Sequence, residues 1–179
     1  MSMNLSRLLD NEPIGPSYKR NISVEEPRKN HLRQVRDAMR AQIAHAMSNW
    51  DVYIRKTALF EDTALASQMP AALTPKFRMQ GSWNYKTLND PAHKPPQQID
   101  IDDGMFLPIS FLTGEGRNRP AITSGGYFSL VEASLKPLCE KYGWKLDRKD
   151  SCVRVLIDDE AHADIALYAV SDNHFRTLV

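Results

Sequence analysis

Residues 98–104 read Gln-Ile-Asp-Ile-Asp-Asp-Gly, and this short run constrains the fold more than any other part of the chain. Apolar and acidic side chains alternate with period two, the pattern of a β-strand. Successive strand side chains point to opposite faces, so Asp100 and Asp102 share one face while Ile99 and Ile101 share the other. The isoleucine face calls for a covering core. The aspartate face holds two neighbouring carboxylates that repel each other unless a cation lies between them. Mg²⁺ takes hard oxygen ligands of this kind, typically one or two carboxylates together with substrate phosphates. For the pair taken alone, a solvated strand face is the alternative.

The rest of the chain supplies elements to pack against that strand. Leu32, Val35, Met39, Ile43, Met47, Trp50 and Ile54 recur at steps of three and four, which predicts a long amphipathic helix. Ser23 with Glu26 has the spacing of a capping box, and Pro27 can equally mark the first helical turn. Arg28, Arg33, Arg36 and Arg40 fall largely off the apolar stripe and are expected on a solvated basic face, with phosphate or another part of the chain as the alternative contact. Residues 1–22, with Pro13, Gly15 and Pro16, are expected to be irregular. Residues 76–80 and 97–108 read as strands, with Asp103-Gly104 expected as a turn or bulge that ends the second. Residues 127–142 read as a helix that Pro137 should kink or break and that Gly143 should cap in the left-handed conformation. Short strands follow at 144–146, 153–157 and 162–169. The order of helix, strands, helix and strands predicts an α+β fold with a mixed or antiparallel sheet.

Composition narrows the function classes. The 179 residues suffice for one domain with a core, and 42% hydrophobic with 25% charged residues is the ordinary globular mix. A formal net charge of +1 argues against long DNA or RNA as a partner, while small nucleotides need only a local positive cluster. Cys139 and Cys152 lack the spacing of a zinc site or disulfide framework and are expected as reduced, packed thiols. His31, His45, His93, His162 and His174 are scattered and are expected as surface or packing residues. There is no apolar run long enough for a membrane span, and the N-terminus lacks a signal peptide's apolar core, so the expected location is the cytoplasm.

Two further elements flank the aspartate pair. Gln80-Gly81-Ser82 forms a turn whose backbone can approach a triphosphate closely. Asp164 lies on a later strand among apolar Ala163, Ile165 and Leu167, where it can complete a triad if the two strands are adjacent. This order is that of the polymerase-β-like nucleotidyltransferases. The match narrows with residues 73–77, 80–82, Tyr85, 87–89, 99–104 and 107–108, and continues through 132–136, 143–145, Cys152, Arg154, Asp164 and 168–169. Over residues 73–175 the chain resembles the bacterial cyclic GMP-AMP synthases, the DncV-like branch of the cGAS/DncV-like nucleotidyltransferases.

The resemblance implies a nucleotidyltransferase catalytic domain at residues 23–179, with a polymerase-β-like core and a long N-terminal helix. It implies two Mg²⁺ ions (or Mn²⁺) on Asp100, Asp102 and Asp164, with Asp164 also near the attacking ribose hydroxyl. Gln80, Gly81 and Ser82 would line the triphosphate and nucleotide. Tyr85 would contact a base, and Arg154 a phosphate or base of the second nucleotide; a surface aromatic and a strand-face ion pair are their alternatives. The implied substrates are ATP and GTP, the implied product a cyclic dinucleotide second messenger, and the implied role antiphage defence. Family members continue into a helical second lobe, which is expected to be missing here or supplied by a partner chain. A truncated, inactive nucleotide-binding half and a minimal nucleotidyltransferase acting on protein or RNA are the alternatives.

Overall fold

The alternation at 98–104 builds the second strand of a five-stranded sheet. The computed structural model describes residues 20, 22–53, 74–93, 96–112 and 122–178. The strands are β1 (Lys76–Met79), β2 (Ile99–Pro108), β3 (Lys145–Arg148), β4 (Cys152–Asp158) and β5 (Ala161–Val170). Their order in the sheet is β1-β2-β5-β4-β3. Only β2 and β5 run parallel; the other neighbours are antiparallel, so the sheet is mixed and the fold is α+β as expected. The helices are α1 (Glu26–Ser48), α2 (Trp50–Tyr53), α3 (Gly81–Asn84), α4 (Ile109–Leu112), α5 (Ser124–Tyr142) and α6 (Asp172–Thr177).

The isoleucine face of β2 is covered. Ile99, Ile101, Met105 and Leu107 join Val153, Val155, Ala163 and Ile165 in one core with Leu32, Val35, Met39, Ile43 and Met47 of α1 and Leu130, Val131 and Leu135 of α5. The helical stripe read from the sequence therefore points at the sheet, up to Trp50; Ile54 lies outside the described residues, as do most of residues 1–22. Helix α5 begins on Thr123, whose side chain accepts from Gly126 N at 2.9 Å, and ends on Gly143 at φ 74°. Only glycine adopts that left-handed conformation at little cost.

Four expectations need correction. First, Asp103-Gly104 does not end the strand. The pairing of β2 with β5 runs unbroken from Ile99 to Pro108. Asp103 points to the core face, 2% exposed, and stays there because Arg40 of α1 clamps both its oxygens, each at 2.6 Å. Second, Arg40 and Arg28 are not merely solvated. Arg28 reaches Asp158 at 2.7 Å, so the basic face of α1 is partly used to pin the helix to the sheet. Third, Ser23 is not a cap. It bridges Asn89, the N-cap is Glu25 without a side-chain bond, and Pro27 occupies the first turn. Fourth, the assigned helix α5 runs on through Pro137 without a break.

The Arg40–Asp103 pair yields a stability prediction. Removing one partner of a buried pair strands the other charge and costs about 3–5 kcal/mol. Arg40→Ala should destabilise the protein by about that amount in urea unfolding. Arg40→Met together with Asp103→Leu should recover most of the loss.

Candidate active site

The other face of β2 carries the chemistry. Parallel pairing puts Asp100 beside His162 and Asp102 beside Asp164, and antiparallel pairing puts Arg154 of β4 beside Asp164. One row across three strands thus reads Asp102, Asp164, Arg154, with Asp100 and His162 one step along. The triad expected from the sequence is assembled because β2 and β5 are neighbours. Their register is pinned at the strand ends. The β4–β5 turn gives its Glu160 carbonyl to Ile99 N at 2.8 Å.

Arg154 donates from Nε and Nη2 to the two oxygens of Asp164, at 2.7 and 2.6 Å. These bonds push its pKa further up, so it is a fixed cation. The ion-pair alternative for Arg154 is therefore what this structure contains. Burial, and then the charges of Asp100 and Asp164, push the Asp102 carboxyl above its ordinary value of 3.8. Cys152, beside Asp164, is pushed up to about 11, by burial first and by Asp164 second, and remains a neutral thiol at physiological pH. Both cysteines are buried and free, as read from the sequence.

The turn residues lie against the carboxylates. Gln80 N donates to the Asp102 carbonyl at 2.9 Å, which carries β1 directly onto the acidic strand. Gly81 adopts φ 57°, and a Cβ there would overlap Asp102 Oδ2. The Gln80 side chain lies over Gly104, where a Cβ would stand 2.6 Å from its Nε2, and accepts from Tyr168 OH at 3.2 Å. Tyr168 in turn stacks on Phe106 at 4.9 Å between centroids. Ser82 is half-buried in the first turn of α3. Tyr85 closes α3 but stands 74% exposed, outside the carboxylate row.

His162 is a residue of this cluster that the sequence reading missed, having been expected on the surface or in packing. It is 8% exposed, with Nδ1 3.0 Å from Gln98 Oε1 and Nε2 3.1 Å from Asp100 Oδ1. Nε2 and Asp100 Oδ1 are both buried without a hydrogen-bond partner, although they stand so close. The signal was present: His162-Ala163-Asp164 repeats the spacing of Asp100-Ile101-Asp102, and i, i+2 residues share a strand face.

The donor set fits a divalent cation. Three carboxylates converge, two buried polar atoms face each other unsatisfied, and ligand atoms of Asp100, His162 and Asp164 lie within 4.8 Å of one another. The missing side chain at Gly81 leaves the Asp102 oxygen uncovered.

Comparison with known proteins identifies the family. The family described as cyclic GMP-AMP synthase DncV-like, nucleotidyltransferase domain, matches residues 75–168, just over half of the chain. The chain belongs to this family. It is 42% identical over 106 residues to the cyclic GMP-AMP synthase of Vibrio cholerae and 40% identical over 107 residues to that of Escherichia coli. These stretches cover 58% and 59% of this chain but only 23% and 24% of the two enzymes. The solved V. cholerae di-nucleotide cyclase DncV in complex with GTP and 5MTHFGLU2 superposes with a TM-score of 0.71 at 26% identity, covering 98% of this chain and 52% of that one. The same enzyme with the linear intermediate 5' pppA(3',5')pG gives 0.63 at 27% identity, covering 87% and 46%. The fold is thus that of a DncV-type nucleotidyltransferase, and this chain spans about half the length of those solved proteins.

The carboxylate cluster makes stability depend on charge. The folded state holds the Asp102 proton more tightly than the unfolded chain does. Its ionisation therefore subtracts stability above the folded-state pKa, and the loss fades as pH falls towards 3.8. Asp102→Asn should raise the metal-free melting temperature at pH 7, with the gain vanishing in acid. Mg²⁺ or Mn²⁺ should raise the wild-type melting temperature and do so less in the variant. Gly81→Ala, which fills the space beside Asp102 and strains a positive φ, should weaken Mn²⁺ binding about tenfold or more in calorimetry, with unchanged far-UV circular dichroism.

Proposed function

We propose that this chain forms the catalytic half of a cyclic-dinucleotide synthase that uses ATP and GTP. The observation that carries the proposal is the register that places Asp102 beside Asp164 and Asp100 one step away on the same face. Membership of the DncV-like family, and relatives named as cyclic GMP-AMP synthases, support the same reading.

In this reading Asp100, Asp102 and Asp164 hold two divalent cations, taken to be Mg²⁺ or Mn²⁺. When bound, such ions neutralise the triphosphate and stabilise charge on the attacking and leaving oxygens. The chain's own residues position the reactants. Asp164, fixed by Arg154, faces the attacking ribose hydroxyl and favours its deprotonation. Gln80 and Ser82 contact the nucleotide, and the bare backbone of Gly81 admits the phosphates. Tyr85, exposed on its short helix, is free to meet a base. The ribose oxygen attacks the α-phosphorus in line, and pyrophosphate leaves. Most of the rate enhancement comes from positioning and charge. A second transfer would close the ring. The product would serve as a second messenger in antiphage defence, in the cytoplasm. Among the described residues no helix is long and apolar enough to cross a membrane.

The test is product analysis by mass spectrometry after incubation of the protein with ATP, GTP and Mg²⁺. A linear or cyclic dinucleotide should form and should fall at least a hundredfold in Asp100→Asn and Asp102→Asn. Undiminished synthesis in either variant would remove the assignment. Label transferred instead to a protein or RNA would redirect it to another acceptor.

A further inference from the structure

An oxygen-only cation site has no use for an imidazole, yet one is aimed into this cluster. The His162 side chain is nine-tenths buried and its Nε2 has no hydrogen-bond partner. Its orientation is not accidental. Gln98 donates from Nε2 to the Asp159 carbonyl at 3.1 Å, so its Oε1 must face the histidine. That oxygen can only accept, which makes His162 Nδ1 the donor across their 3.0 Å contact. Nε2 is then the ring's unengaged nitrogen, 3.1 Å from Asp100 Oδ1 but oriented so that no hydrogen bond joins the two. A buried nitrogen and a buried carboxylate oxygen left without hydrogen bonds are unfavourable unless a cation engages both. An outer partner that fixes the tautomer of a ring is also the usual support of a metal-bound histidine.

The spacing agrees. Adjacent ligands of an octahedral ion with bonds of about 2.1 Å stand about 3.0 Å apart, against 3.1 Å between His162 Nε2 and Asp100 Oδ1. A His⁺–Asp⁻ ion pair at this distance is the rival, and a hydrogen-bonded one would require a ring N–H directed at the carboxylate. The contact lacks that geometry. Imidazole ligands suit first-row transition ions, whereas Mg²⁺ favours oxygen donors only.

We propose that His162 Nε2, with Asp100 and Asp164, ligates a divalent transition-metal ion, so that one of the two cation positions discriminates Mn²⁺ or Zn²⁺ from Mg²⁺ through a nitrogen ligand. Gln98 is the positioning residue that holds the ring in the ligating tautomer. The proposal deepens the reading above and rests on it for Asp100 and Asp164 as ligands. It does not depend on which nucleotides react.

The experiment uses Mn²⁺ without nucleotide. Pulsed electron paramagnetic resonance on the Mn²⁺-loaded protein should show ¹⁴N modulation from a directly bound imidazole. His162→Gln should abolish that modulation and weaken Mn²⁺ at least tenfold, with Mg²⁺ affinity nearly unchanged. Bound Mn²⁺ without ¹⁴N coupling, and equal Mn²⁺ affinity in the variant, would overturn the histidine ligand while leaving the aspartate site intact. Failure of the wild type to bind Mn²⁺ at millimolar concentration would overturn both readings together. A second measurement on the wild type covers the case of a variant that does not fold. Among the five histidines, one ring Nε2 should shift in ¹H–¹⁵N spectra on adding Zn²⁺ and stay put on adding Mg²⁺. No Zn²⁺-specific Nε2 shift would again remove the ligand.

Discussion

The parallel pairing of β2 with β5 is the constraint on which the site depends. It places Asp102 beside Asp164 and Asp100 beside His162, groups more than sixty residues apart in the chain. Three carboxylates share one face, and burial first and their mutual repulsion second push Asp102 up. The core has to offset it. The opposite face supplies the offset: Ile99, Ile101, Met105 and Leu107 are sealed under α1 and α5. One strand thus couples burial on one side to charge repulsion on the other, and a one-residue slip would exchange the two faces.

Several polar contacts guard that register. Arg40 holds Asp103 from the core side, and Arg28 holds Asp158 at the β4–β5 turn. The same turn binds Ile99 and Gln98 through its carbonyls. These contacts sit at both ends of the acidic segment, so the carboxylates are presented on a rigid strand rather than a loop. Rigid presentation suits a site whose work is positioning and charge. Arg154 adds a local cation that clamps Asp164 in place while leaving further lone pairs on its oxygens.

The glycines show how the turn approaches this row. Gly81 is required twice over, by its positive φ and by the closeness of Asp102. At Gly104 the Gln80 side chain and the Phe106 ring lie across the space a Cβ would take. A Gly-Ser turn alone is a weak signal in a sequence. It becomes specific when the turn backbone touches the acidic strand, and that contact follows from the antiparallel pairing of β1 with β2.

By itself the sequence determined the five strands and the two long helices, the α+β class, the two faces of β2, the stripe of α1 and the left-handed cap at Gly143. Each follows from local periodicity or backbone preference, which a window of a few residues displays. The aspartates, the Gly-Ser turn and Arg154 were also legible, because their order along the chain carries the family resemblance. Tertiary structure decided what depended on partners distant in sequence. Asp103 reads as a turn residue until Arg40, sixty-three positions earlier, is seen to neutralise it. His162 reads as one scattered histidine until the strand register sets it against Asp100 and the Gln98 amide fixes its ring. Local pattern says which face of a strand a side chain occupies; only the pairing of strands says which charge it meets there.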